Sequence, residues 1–137
     1  MIFEQTEIGT IKLKNRIIRS ATHEGLADEN GYPTEKLIKK YVTLAKNEVG
    51  CIITGFAGIM KNGKTNNYNM LMIDNDSFID SYSKITNEIH KYDTPIILQI
   101  AHCGRQTRSK TTGFPIVAPS PVKDKTYREE IAKELTE

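Results

Sequence analysis

Thr34-Glu35-Lys36-Leu37-Ile38-Lys39-Lys40-Tyr41-Val42-Thr43-Leu44-Ala45, followed by Gly50-Cys51-Ile52-Ile53-Thr54, is the stretch that decides the fold. Asn30-Gly31 marks a turn, and Thr34, after Pro33, is a good N-cap for a helix. Leu37, Tyr41, Leu44 and Ala45 recur at helical spacing, so one stripe of that helix is apolar. Gly50 is expected to stop the helix, and Cys51 to Thr54 suits a strand buried on both faces. Upstream, Ile17-Ile18 opens another strand, expected to run into Ser20-Ala21-Thr22. Together these make one βαβ unit.

A second unit follows. Asp76 is expected to cap a helix whose Phe78, Tyr82, Ile85 and Ile89 share one face, ending at Asp93-Thr94-Pro95 before a strand from Pro95 to Ala101. Ahead of both units, residues 2 to 13 alternate weakly around Gly9-Thr10 and predict a short hairpin. Apolar strands separated by amphipathic helices predict an α/β fold with a parallel sheet and right-handed crossovers. The strands open near 17, 51 and 95, a pitch of 34 and 44 residues. A closed eight-unit barrel at this pitch needs on the order of 300 residues. A free three-stranded parallel sheet leaves two unpaired edges, so the expectation is a piece of something longer or pairing with another copy of the chain. Thr136 suits the cap of a following helix, whereas Thr126-Tyr127-Arg128-Glu129 fits a capping box that predicts a helix over 126 to 135 instead.

The chain has 137 residues, 38% of them hydrophobic, with 19 Lys plus Arg against 17 Asp plus Glu and a net charge of +2. This balance implies no nucleic-acid partner. No apolar run approaches the roughly 18 residues of a membrane span, and Met1-Ile2-Phe3-Glu4-Gln5 does not open a signal peptide, so a cytoplasmic protein is expected. Cys51 and Cys103 fit reduced thiols better than a disulfide framework.

In a parallel α/β sheet, ligands sit beyond the carboxyl ends of the strands. Those ends are polar here: Ser20-Ala21-Thr22-His23, Thr54-Gly55-Phe56, and Gln99 with His102-Cys103-Gly104-Arg105. Gln99 interrupts an aliphatic run. A buried amide without partners costs roughly 1–3 kcal/mol, so either a neighbouring strand end or a ligand is expected to satisfy it. His23, His102 and Cys103 lack the close pairing of a zinc site, and no metal is expected. His90 is expected on the surface, at a helix C-terminus. Gly58-Ile59-Met60-Lys61-Asn62-Gly63-Lys64-Thr65 matches the phosphate loop G-x-x-x-x-G-K-[ST], but Asn66-Asn67-Tyr68-Asn69 is a poor start for the helix such a loop requires. Arg105 to Lys110 is basic without interleaved aromatics and is expected to be solvated surface.

Leu13-Lys14-Asn15-Arg16-Ile17-Ile18 followed by Ser20-Ala21-Thr22-His23 resembles the opening of the Old Yellow Enzyme family of flavin-dependent ene-reductases. Pro33-Thr34-Glu35-Lys36-Leu37-Ile38, Val49-Gly50-Cys51-Ile52-Ile53-Thr54-Gly55 and Gln99-Ile100-Ala101-His102-Cys103-Gly104-Arg105-Gln106 resemble its next three blocks. His23-Glu24-Gly25-Leu26 is closer to the branch containing 2,4-dienoyl-CoA reductase and NADH:flavin oxidoreductases. The resemblance implies that residues 1–137 are the N-terminal portion of a TIM (β/α)8 barrel, about three βα units of an FMN-binding domain. In that family NADH or NADPH reduces the flavin, which passes hydride to an activated alkene, so the partners implied are small unsaturated molecules. Ser20, Ala21, Thr22 and His23 would line the flavin ring, Gly55 and Phe56 would border it, and Gln99 would bind its pyrimidine edge. The resemblance places the substrate-anchoring His pair or His-Asn, the proton-donating Tyr, a later Arg and the phosphate loops beyond Glu137. The isolated chain is therefore expected to be inactive. An iron-sulfur cluster, as in the dienoyl reductase branch, would need further cysteines, since Cys51 and Cys103 do not make four ligands. The alternatives on the residues alone are a small non-catalytic flavin- or phosphate-binding module and a phosphate-loop nucleotide-binding protein.

Overall fold

The computed structural model describes residues 1–65, 69–123 and 130–136. The N-terminal hairpin forms as expected: β1 (Thr6–Ile8) pairs antiparallel with β2 (Ile11–Leu13) around Gly9-Thr10. Next come β3 (Ile18–Arg19), α1 (Glu35–Lys46) and β4 (Cys51–Ile53). After β5 (Ala57–Gly58) and β6 (Leu71–Met72), α2 (Ile79–His90) leads to β7 (Ile96–Ile97) and β8 (Ile100–Ala101). The last elements are the single-turn helix α3 (Ser109–Thr112), β9 (Val117–Ala118) and β10 (Lys133–Glu134).

β3, β4 and β7 form a parallel sheet in chain order, with Ile18 beside Cys51, Arg19 beside Ile52 and Ile53 beside Ile97. Helices α1 and α2 cover one face. Leu37, Tyr41 and Ala45 of α1 and Ile85 and Ile89 of α2 are buried with Ile52, and Ile17, Ile96 and Leu98 pack against them. This is the expected βαβαβ pattern, and the stripe positions are what place each helix on the sheet.

Several boundaries differ from expectation. Thr34 does cap α1, its hydroxyl accepting from Leu37 N–H, but the helix stops at Lys46 rather than at Gly50. Asn47 closes it and Glu48 takes the left-handed conformation, with φ of 64°. Gly50 serves close packing instead, since a Cβ there would lie 2.4 Å from Asn15 O. Asn75, not Asp76, caps the second helical segment: its side chain accepts from Ser77 N–H and starts a 3-10 turn that runs into α2. The first strand ends at Arg19, so Ser20 to Thr22 form irregular backbone. The strand expected from Pro95 to Ala101 is two short strands, because its second half pairs with β5 rather than β4. β5, β6 and β8 make a second parallel sheet, and β6 comes from the buried Met70-Leu71-Met72 run. At the C-terminal end β9 pairs parallel with β10 over a small cluster of Ile116, Ala118 and Ala132, so Lys133–Glu134 is strand, not helix. The capping box at residues 126–129 lies outside the described residues. Neither Cys51 nor Cys103 forms a disulfide, and His90 is exposed in the last turn of α2. Among the described residues no helix is long and apolar enough to cross a membrane.

Lys14 and Asn15 join the two helix ends to the sheet. The Lys14 ammonium donates to Tyr92 O at 2.9 Å and Ala45 O at 3.4 Å, carbonyls at the C-terminal ends of α2 and α1. Asn15, buried, donates through Nδ2 to Glu48 O at 2.6 Å and accepts from Ile17 N–H at 2.9 Å. One cation thus answers the partial negative charge of two helices. Lys14→Met is expected to lower the unfolding free energy by about 1–2 kcal/mol in urea denaturation, the scale of a lost charge-assisted hydrogen bond. Lys12→Met, on the exposed side of the hairpin, is expected to change it by less than about 0.5 kcal/mol.

Candidate functional site

The register between β4–β5 and β7–β8 slips by one residue. Ile53 sits beside Ile97 and Ala57 beside Ile100, so three residues, Thr54 to Phe56, oppose two, Leu98 and Gln99. This is a bulge at the carboxyl end of β4, a device that re-aims side chains at sheet rims. The ladder is completed around it. Gln99 N–H donates to Thr54 Oγ1 at 3.2 Å, and Ala57 N–H donates to Gln99 O at 2.8 Å. The surplus amide, Gly55 N–H, donates to the Tyr41 hydroxyl of α1 at 2.9 Å, with Tyr41 fully buried. Burial pushes the Tyr41 phenol above its ordinary value of 10.0, and the Gly55 amide partly opposes that rise. Gly55 also lets the bulge touch the segment after β3, since a Cβ there would lie 2.6 Å from Thr22 O.

That segment, Ser20 to Glu24, is held by side chains. Arg19 Nη1 donates to Ser20 O at 3.1 Å and also to Thr22 Oγ1, while its Nη2 donates to Glu24 Oε1 at 2.8 Å. Lys40 of α1 pairs with the other Glu24 oxygen. The His23 imidazole stacks on Phe56, with centroids 4.9 Å apart and planes 18° from parallel. Phe56, bulky for a strand tip, thus has a partner from the neighbouring tip.

The expected site residues therefore converge. Ser20, Ala21, Thr22 and His23 follow β3, Gly55 and Phe56 follow β4, and Gln99 follows β7, three adjacent strands of one parallel sheet. The backbone N–H groups of Ala21, Thr22 and His23 make no hydrogen bond to a described residue. Gln99 departs from expectation in one respect: it is exposed rather than buried. β7 is the last strand of its sheet, so nothing described covers its far side, and Ile97 is likewise 40% exposed. The Gln99 carboxamide makes no hydrogen bond to a described residue, so neither its donors nor its acceptor is spent on a neighbouring strand end. An amide on the tip of β7 and a run of backbone N–H groups on the tip of β3, none of them bonded to a described residue, fit a flat heteroaromatic whose edge alternates donors and acceptors. The bulge and the Arg19 staple were not legible as such; the only local signs were a Gly inside a strand pattern and an Arg–Glu pair five apart.

Other sequence candidates resolve differently. The phosphate-loop match does not make a phosphate cradle. Gly58 is in β5, and the amides of Ile59, Gly63 and Lys64 donate to Ala101 O, Met60 O and Lys61 O, while Lys64 Nζ donates to Glu29 O. Asn66 to Tyr68 lie outside the described residues. His102 faces Asn62 Oδ1 at 3.1 Å through Nε2 and accepts Gly104 N–H at 2.9 Å through Nδ1. Both ring nitrogens are engaged, and among the described residues no three His, Cys, Asp or Glu side chains cluster to hold a metal.

The profile of the NADH:flavin oxidoreductase / NADH oxidase family matches residues 1–137. The chain is 36% identical over 137 residues to a metal reductase of Desulforamulus reducens, covering all of this chain and 20% of that protein. It is 34% identical over 122 residues to an NADH oxidase of Thermoanaerobacter brockii, covering 88% of this chain and 19% of the oxidase. In structure it superimposes on an Old Yellow Enzyme homologue of Zymomonas mobilis with a TM-score of 0.81 at 25% identity, covering 98% of this chain and 39% of the homologue. The chain thus spans about a fifth of these curated relatives and two fifths of that structure.

Burial depresses the His102 pKa below its ordinary 6.5, and the neutral form with hydrogen on Nε2 satisfies both partners. A depressed folded-state value stabilises the fold above pH 6.5, and this contribution is lost as pH falls through the folded value. His102→Asn is expected to flatten that part of the stability–pH profile, and imidazole NMR shifts of the parent are expected to report the Nε2–H tautomer at pH 7.

Proposed function

Because the chain belongs to the NADH:flavin oxidoreductase / NADH oxidase family, we propose that it supplies the first three strand tips of the FMN site in a flavin-dependent oxidoreductase of the Old Yellow Enzyme type. The observation that carries this reading is that Ser20 to His23, Gly55-Phe56 and Gln99 lie on the tips of three adjacent parallel strands, with amide groups there that no described residue partners. When bound, FMN would accept hydride from NADH or NADPH and deliver it to an electron-poor acceptor such as an activated alkene.

The chain's own residues would bind and orient. Gln99 would accept from one ring N–H and donate to a ring oxygen or nitrogen, fixing the pyrimidine edge. Ser20, Ala21 and Thr22 would line the ring, and with His23 near its N5 and O4 edge the backbone N–H groups of this segment would donate where added electron density is favoured. The His23–Phe56 stack would wall one side and exclude water. Gly55 would border the ring without donating to it, since its N–H is held by Tyr41. The substrate-anchoring and phosphate-binding groups would come from sequence after Glu137.

Mixing FMN with a protein that also carries any sequence its gene encodes after Glu137 is expected to leave a yellow species after desalting. Gln99→Ala is expected to weaken FMN affinity about tenfold, the equivalent of one hydrogen bond to a polarised group. Unchanged affinity and absorbance would remove Gln99 from the site. The isolated 137-residue chain is expected to show negligible NADH-dependent turnover; turnover at the level of the longer protein would overturn the assignment of the remaining groups.

A further inference from the structure

Glu24 carries a charge that the flavin contacts leave unexplained. Its side chain is only 5% exposed, yet it ends in a carboxylate, which is costly unless paired and hydrogen-bonded. Both oxygens are paired, Oε1 with Arg19 of β3 and Oε2 with Lys40 of α1. Arg19 turns the pairing into a staple, because the other arm of its guanidinium holds Ser20 O and Thr22 Oγ1. Three charges, two positive and one negative, thus adjoin the segment whose Ala21, Thr22 and His23 amides make no hydrogen bond to a described residue.

We propose that Arg19, Glu24 and Lys40 form a charge-setting triad that fixes the Ser20–His23 backbone and tunes the reduction potential of a flavin held against it. The proposal rests on the flavin reading above. Geometry supplies the first half: the fork of Arg19 bridges residues 20, 22 and 24, so the conformation of the segment is tied to an element of the sheet, and Lys40 ties it to α1. Charge supplies the second. A reduced flavin holds more negative charge than an oxidised one, so a net positive cluster behind its binding backbone favours reduction, and the partly buried setting weakens solvent screening. All three residues act through the backbone segment and its field and are positioning residues.

Opposite substitutions separate this field from a merely structural role. In the FMN-loaded protein, including any sequence encoded after Glu137, Glu24→Gln removes a negative charge and is expected to raise the flavin midpoint potential in dye-equilibration titrations. Lys40→Met removes a positive charge and is expected to lower it, and Lys40→Arg to restore the parent value. Melting of the flavin-free protein is expected to fall in Glu24→Gln and Lys40→Met and to recover in Lys40→Arg. Shifts of both variants in one direction, or no shift, would overturn the triad while leaving the flavin reading intact. If Glu24→Gln fails to fold, Lys40→Met, whose side chain is 45% exposed, decides alone: a lowered potential rescued by Lys40→Arg supports the triad, and an unchanged one overturns it. A parent protein that takes up no FMN overturns the flavin reading, and the triad's tuning role with it.

Discussion

The hydrogen bond from Gly55 N–H to the Tyr41 hydroxyl is the contact on which the rest of the site depends. A bulge in a parallel sheet creates one backbone donor that the ladder does not use, and a buried donor without a partner costs a few kcal/mol at most sites. Tyr41 meets that demand from the second turn of α1, so the helix does more than cover the sheet. It fixes where the bulge occurs, and with it the direction of Gly55 and Phe56. The absence of a side chain at Gly55 then lets the tip of β4 lie against Thr22 O, so two strand ends share one rim.

The opposite end of the sheet is organised by a similar economy of charge. Lys14 answers the C-terminal carbonyls of both helices, and Asn15 closes the backbone where α1 gives way to β4. Each helix therefore has its carbonyl end anchored beneath the sheet. At the upper end, Thr34 caps α1 and also donates to Leu26 O at 2.6 Å, tying the helix start to the loop that leaves β3. The segment between Arg19 and Leu26 has no regular secondary structure, yet side-chain bonds to Arg19, Lys40 and Thr34 hold it at both ends. Irregular backbone of this kind is where binding groups are found on α/β scaffolds, because a strand's own amides are spent on its neighbours.

Much of this is legible in the sequence. The stripes of Leu37, Tyr41 and Ala45 and of Ile85 and Ile89 announce both helices, and Ile52-Ile53 and Ile96-Ile97 announce the strands between them. The polar strand ends and Gln99 follow three neighbouring strands of one parallel sheet, although Gln99 is exposed where a buried amide is expected. Less legible were the short partners: β6, β9 and β10 are two residues each, too brief for any period to register. The helix expected after residue 126 gives way to strand at Lys133 because Lys133 N–H and Leu135 N–H find Ile116 O and Ala118 O, partners far away in the chain.

Periodicity and residue type within a window of a dozen positions mark the two long helices, the strands between them, their order, and the polar character of the strand tips. The division of the third strand, the bulge that offsets the rim by one residue, the bond from that bulge to Tyr41 and the burial of Glu24 between two cations all arise from contacts between elements. Each of those outcomes depends on a donor and an acceptor, or two opposite charges, meeting across elements, and no local pattern encodes a meeting between residues that the chain keeps far apart.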